Sequence, residues 1–421
     1  MRTTRLLSAV LACAALIAAG CGGDDDDGGG GGKKVDASAS ENAKGNVNWC
    51  IGKDTSGAYA KAIEMFKKAR PEVTVKLVEL PESADEQRTQ LVQRLEAKSS
   101  ECDVLGMDVI WTGEFAAQDW LRDVSDLVEK RQDEMIPTTL ETAKFEDKYY
   151  GMPYDTNAGF IYYRTDQSPK PPEDWKQLYD EAKADDGFAY QGAQYEGLTV
   201  NFLEVLYAAG GKPLSDDGKK AEVDSDQGRQ ALQLMVDGVD SGAVPKAVTT
   251  YMEQESQRAF LSGKVTFLRN WPYVYALGKD SNLKDDFDIA TLPKFGEGEP
   301  ASVLGGHNNA ISAFSKNPDG AAAFIEYTTS DELQRVIFSE FSNPPVLAKI
   351  YDEPAIQKKY AFAPDLKKAI EQGKARPASA VYPQISEAIY NNVHDALQGK
   401  ASTDEALKKM KSDMEKALQT F

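Results

Sequence analysis

Histidine is almost missing from this chain: only His307 and His394 occur in 421 residues. Cysteine is nearly as scarce, with four. No Cys/His cluster has metal-ligand spacing, which argues against a zinc site. Basic residues are in deficit, 48 against 67 acids, for a formal charge of −19. Nucleic acid is therefore a poor partner, because a phosphate backbone needs a basic footprint. An acidic surface instead suits a monomer kept apart by self-repulsion, or serves only solubility. Long apolar runs are lacking beyond residue 19, so no later segment is expected to cross a bilayer. What remains is 41 % hydrophobic and 27 % charged, a globular balance with enough chain for two cores.

The first residues read as a secretion signal. Arg2 and Arg5 form a positive start, and Leu6 to Ala19 is apolar but short for a membrane span. The stretch ends in Ala18-Ala19-Gly20-Cys21, which resembles the lipobox of bacterial lipoproteins, with Ala18 where Leu is usual. That resemblance implies lipidation of Cys21 and removal of residues 1–21; ordinary cleavage with Cys21 left free is the alternative. Residues 22–45 are rich in Gly, Asp, Ser and Lys, too polar to form a core, and read as a flexible tether. As a coil it would reach roughly 25–30 Å. Cys13 leaves with the signal. Cys50 and Cys102 then remain in an oxidising compartment, where a pair is expected to bridge.

Beyond the tether, short strands alternate with amphipathic helices. Val47–Ile51, Val73–Leu80 and Asp103–Ile110 read as strands, with helices over Ala58–Arg70 and Asp85–Lys98 between them. This β-α-β-α-β order predicts an α/β fold on a parallel, doubly wound sheet. Ligands in such sheets sit beyond the carboxyl ends of the strands. Helices are expected at Asn201–Ala209 and Gly228–Gly242, a strand at Lys264–Arg269, and a mainly helical last third.

Several segments then resemble sugar-binding members of the extracellular solute-binding proteins of ABC importers. Pro171-Pro172-Glu173-Asp174-Trp175-Lys176-Gln177-Leu178 is similar to a Pro-x-Thr-Trp-x-Glu-Leu element of that family. Ala259 to Phe267 is similar to its helix-Gly-strand element, and Gly151-Met152-Pro153-Tyr154 with Ile161-Tyr162-Tyr163-Arg164 to its first crossing between lobes. Met107-Asp108-Val109, Tyr190-Gln191-Gly192, Gln194 to Leu198, Arg269 to Tyr273 and Tyr382-Pro383-Gln384 most resemble the trehalose/maltose-binding group. The resemblance implies a two-lobe periplasmic-binding-protein fold (type II). Each lobe is expected to be a doubly wound sheet with flanking helices, discontinuous in sequence and joined by hinge strands. Residues 46–159 plus 310–344 are expected in lobe I, and 160–309 plus 345–421 in lobe II.

A sugar shows hydroxyls at its rim and C–H groups on its faces, so its cleft needs planar polar side chains and aromatic rings. Asp108 ends a strand among apolar neighbours, where a carboxylate needs a partner. By resemblance it binds sugar hydroxyls, as does Arg376, while Trp271 and Tyr273 touch the sugar. Gly305 and Gly306 permit close backbone approach. Asp54 and Arg88 lie beyond strand ends and are further candidates. Three positions depart from the trehalose pattern: His307 stands where Trp is expected, Asp155 where Tyr is, and Asn157 where Asp is. They imply a more polar ligand subsite. The expected protein is thus a lipid-anchored, extracytoplasmic, non-enzymatic sugar carrier without metal or cofactor, working with ABC permease subunits. A polyamine- or metal-binding protein of the same fold, a carbohydrate-active enzyme and a sensor component remain alternatives.

Overall fold

A computed structural model of the chain describes residues 33–184, 187–377, 379 and 381–419. The signal, Cys21 and the start of the expected tether lie outside them. Among the described residues eleven strands follow in order: β1 Gly45–Gly52, β2 Val73–Leu80, β3 Val104–Asp108, β4 Lys144–Phe145, β5 Lys148–Tyr149, β6 Met152–Asn157, β7 Phe160–Arg164, β8 Phe188–Ala189, β9 Phe267–Asn270, β10 Phe287–Thr291 and β11 Gly305–Ile311.

Two sheets define two lobes. The first runs β2-β1-β3-β11-β6, the second β10-β7-β9-β8. The period-2 alternation of β1 explains how its sheet is sandwiched. Val47, Trp49 and Ile51 face the large core with Tyr59, Phe66 and Phe324, while Cys50 faces a second cluster with Leu91, Leu95 and Phe115. Helix Ala58–Ala69 covers the first face and helix Ala84–Glu96 the other. The first ends just before Pro71, as a proline demands. Cys50 and Cys102 form a disulfide, tying β1 to the turn before β3.

The expectation of a parallel sheet holds only for β2-β1-β3. β11 runs antiparallel to both β3 and β6, and in the second lobe only β8 and β9 are parallel. The cause is the crossing of the chain between lobes. β6 leads into β7 of the other sheet, and β11 returns as a lone strand to fill the gap between β3 and β6. A returning strand without its own crossover helix is free to insert antiparallel. Because β11 starts at Gly305, the chain re-enters the first lobe ahead of the expected residue 310. Helices Pro318–Thr328 and Asp331–Phe341 stay with the first lobe, and Tyr382–Leu397 packs on Glu196–Ala208 of the second.

The tether does not extend to Gly45. From Lys34 the chain is laid on the first lobe. Val35 is buried and donates its N–H to the Asp123 carbonyl at 2.9 Å. Lys34 pairs with Asp126 at 2.7 Å, and Lys130 donates to the Ala37 carbonyl at 2.7 Å. One buried valine and backbone groups satisfied by the body outweigh a composition that reads as coil. Among the described residues no helix is long and apolar enough to cross a membrane.

Candidate functional site

The cleft between the sheets is a cavity of about 220 Å³. Its first wall comes from strand ends. After β1, Asp54 lies in the loop that starts helix Ala58–Ala69, and its carboxylate accepts from the N–H groups of Ser56 (2.7 Å) and Tyr59 (2.9 Å). It lines the cleft, yet much of its bonding capacity is spent on shaping the loop. Arg88, by contrast, does not line the cleft. It forms a bidentate pair with Glu114, Nε to Oε2 at 2.7 Å. Gln87 lines the cleft instead. A helix turns about 100° per residue, so a one-residue error in register moves a side chain off the face.

The floor is a row across three neighbouring strands. Asp108 ends β3, His307 lies opposite it on β11, and Asp155 lies opposite His307 on β6. The Asp155 carboxylate accepts from the His307 N–H at 2.9 Å, lies 3.0 Å from its Nδ1, and accepts from Asn343 Nδ2 at 3.2 Å. A register shift between His307 and Asn308 re-aims the imidazole. Gly306 sits at φ +123°, where a Cβ would stand 2.4 Å from the Asp155 carbonyl oxygen. Only glycine fits there. Burial pushes the His307 imidazole toward the neutral form, but the charge and hydrogen bond of Asp155, with Asp108 behind, overcome this and raise its pKa above the usual value.

The second lobe supplies an aromatic wall and a cation. Trp271 follows β9, and the Arg269 guanidinium packs on its ring at 4.1 Å from the centroid. Arg269 is itself buried and held by Glu204, Nε to Oε2 at 2.7 Å. The Trp271 ring also abuts Gly305, where a Cβ would meet it at 3.0 Å. The indole is therefore fixed before any ligand arrives. Tyr273 lines the same wall.

Arg376 bridges the lobes. It donates to Asp108 Oδ1 at 2.6 Å and to Glu196 Oε1 at 2.9 Å, and its side chain is 3 % exposed. Glu196 opens helix Glu196–Ala208 and also accepts from the Tyr382 hydroxyl at 2.6 Å. Burial drives the Glu196 carboxyl upward, and Arg376 opposes this. Facing charges hold the Arg376 guanidinium protonated against its own burial. A second tie runs beside it: Asp85 of the first lobe accepts the Glu196 N–H at 2.9 Å.

Ten of the eleven expected ligand residues thus line one cleft; Arg88 is the exception. The row Asp108, His307 and Asp155 was not foreseen as a unit. Glu196, Tyr195 and Glu253 were missed. Tyr195 donates to Glu253 at 2.7 Å, and burial raises that carboxyl too. For Tyr195 and Glu196 the signal was the start of a helix just after a turn holding Gln191 and Gln194. Among the described residues no group of His, Cys, Asp and Glu is placed to hold a metal ion.

The model of one family, described as bacterial extracellular solute-binding protein, matches residues 61–364. A curated relative from Deinococcus radiodurans, a probable ABC transporter-binding protein, is 33 % identical over 363 residues, covering 81 % of this chain and 86 % of its own. The maltose-bound MalE3 of T. maritima superposes with a TM-score of 0.84 at 30 % identity, covering 88 % of this chain and 98 % of its own. The solute-binding protein of Thermotoga lettingae, bound with α-D-tagatose, shares the fold with a TM-score of 0.81 at 24 % identity, covering 89 % and 99 %.

Proposed function

The chain belongs to the bacterial extracellular solute-binding proteins, and from that premise we propose that it captures a disaccharide or related glycoside of the trehalose or maltose kind for an ABC importer. The observation that carries this reading is a fixed indole, Trp271, set in one wall of a cleft whose floor is a row of polar side chains. A ring of that kind packs on the C–H face of a sugar, and carboxylates and imidazole take its hydroxyls. A relative at 30 % identity holds maltose.

Binding is non-enzymatic in this reading. Asp108 and Glu196 share one arginine, an arrangement that positions a ligand and asks for no proton transfer. The lobes close on the sugar by hinge motion, and the closed, monomeric form docks on permease subunits. Lipid on Cys21 holds the protein at the outer face of the cell membrane. Replacing Cys21 by Ala should release it to the medium.

A second reading, a polyamine ligand, is favoured by the carboxylates of Asp54, Glu82 and Glu253 in the same cleft. Fluorescence separates the two. Trehalose or maltose should change the tryptophan emission of the wild type, and the change should vanish in Trp271→Ala. Emission unmoved by either sugar would refute the sugar assignment.

A further inference from the structure

Of the residues in the cleft, His307 is placed in the most deliberate way. It occupies the middle of a carboxylate-imidazole-carboxylate row, on a strand bulge, next to a glycine in a conformation that other residues avoid. The ring is held from one side only. Nδ1 lies 3.0 and 3.3 Å from the two Asp155 oxygens, and Nε2 has no hydrogen bond among the described residues. Asp155 is 3 % exposed, whereas the imidazole is 30 % exposed and forms part of the cleft surface.

We propose that His307 is a specificity-determining residue, reading one ligand hydroxyl through Nε2, and that Asp155 is a positioning residue that acts through it by pinning the proton on Nδ1. This deepens the sugar reading and rests on it. A carboxylate can only accept, so it selects the tautomer with Nδ1–H. Neutral His307 then offers Nε2 as a bare acceptor; protonated, the same atom donates. A hydroxyl group answers both states, because it can donate to the first and accept from the second. An ammonium group suits only the neutral ring and a carboxylate only the charged one. The subsite therefore fits an uncharged, hydroxylated ligand over a range of pH that would defeat an ionic one.

The groups facing the imidazole support this assignment. Asp155 on β6 and Asp108 on β3 flank it, and Arg376 approaches from the other lobe. Asn343 holds the far oxygen of Asp155, while Tyr59 and Asp54 are the next polar groups on that side. Two acids against one cation favour the charged imidazole, which is the direction of its shift.

The test is NMR of the two histidine rings, with His394 as the internal reference, in wild type, Asp155→Asn and His307→Phe, using maltose and trehalose as probes. Long-range ¹H–¹⁵N spectra should show His307 with its proton on Nδ1, and a bound sugar should move the Nε2 resonance while leaving His394 in place. Asp155→Asn should lower the His307 titration midpoint by about one pH unit or more, as expected when a close opposite charge is removed. It should also weaken sugar binding roughly tenfold, as should His307→Phe. If the wild type binds neither sugar, the functional reading itself fails and takes this inference with it. If it binds sugar while Nε2 stays unmoved, or both variants bind as well as the wild type, the sugar reading stands and the role of His307 is refuted. Thermal melts identify a variant that has not folded, and the wild-type tautomer and Nε2 shift decide the matter in that case.

Discussion

Replacing Arg376 by methionine keeps the apolar stem and removes the guanidinium that joins the lobes. Arg376 donates to Asp108 and Glu196, with a longer contact to the Leu304 carbonyl at 3.5 Å, and in the proposed hinge motion these contacts belong to the closed form. Removing one member of a buried pair costs about 3–5 kcal/mol, because the other charge is left unpaired. Two features reduce that figure here. The Asp108 side chain is 19 % exposed, so water partly solvates its carboxylate once the guanidinium is gone. Burial already drives the Glu196 carboxyl upward, so without Arg376 it takes up a proton rather than remaining a bare charge. A loss of about 2–3 kcal/mol in the closed form is therefore expected. Because sugar binds the closed form, affinity should fall roughly 30- to 150-fold. Calorimetric titration of Arg376→Met gives the number, and small-angle scattering with sugar present should show a larger open fraction. Arg88→Met is the matched control, since Arg88 pairs with Glu114 outside the cleft. Sugar affinity within threefold of the wild type in Arg376→Met would refute the bridging role.

The His307–Asp155 pair contributes stability that is fully present below about pH 6.5, the free histidine value, and is lost as pH rises through the raised folded value. Urea midpoints measured across that window should show a decline that Asp155→Asn abolishes. The disulfide spans 52 residues, and loop entropy gives it about 4 kcal/mol. Cys50→Ser with Cys102→Ser should lower the denaturation free energy by about that much, and a change under 1 kcal/mol would contradict the estimate. Val35→Asp should release residues 34–44 from the first lobe, seen as lost amide protection at Val35, with sugar affinity unchanged.

The parts of the fold legible in the sequence are those governed by local periodicity. Val73–Leu80 reads as a strand and is one, and the helices at Ala58 and Ala84 fall within a residue or two of expectation. The antiparallel entry of β11 was not legible, because it depends on a strand returning from the other lobe rather than on its own pattern. The docking of residues 34–44 was hidden for a related reason: it rests on one valine and on the Asp123 carbonyl, the Lys130 ammonium and the Asp126 carboxylate, all supplied by distant residues. In the site, Asp108, Trp271 and Arg376 were reached by resemblance, but their mutual contacts were not. Arg376 was expected to serve the ligand alone, and in the structure it spans the lobes. Of the three departures from the trehalose pattern, two stand in contact, since His307 and Asp155 form a bonded pair. Asn157 lines the cleft beside them and reaches Asp155 only at 3.5 Å.

The central claim is that the cleft takes an uncharged sugar. Isothermal titration of the wild-type protein with maltose, trehalose and spermidine, side by side at neutral pH, tests it most directly. Saturable one-to-one binding of at least one disaccharide, with spermidine silent, is the expected result. Heat from spermidine alone would contradict it and would assign the carboxylates of the cleft to a cationic ligand.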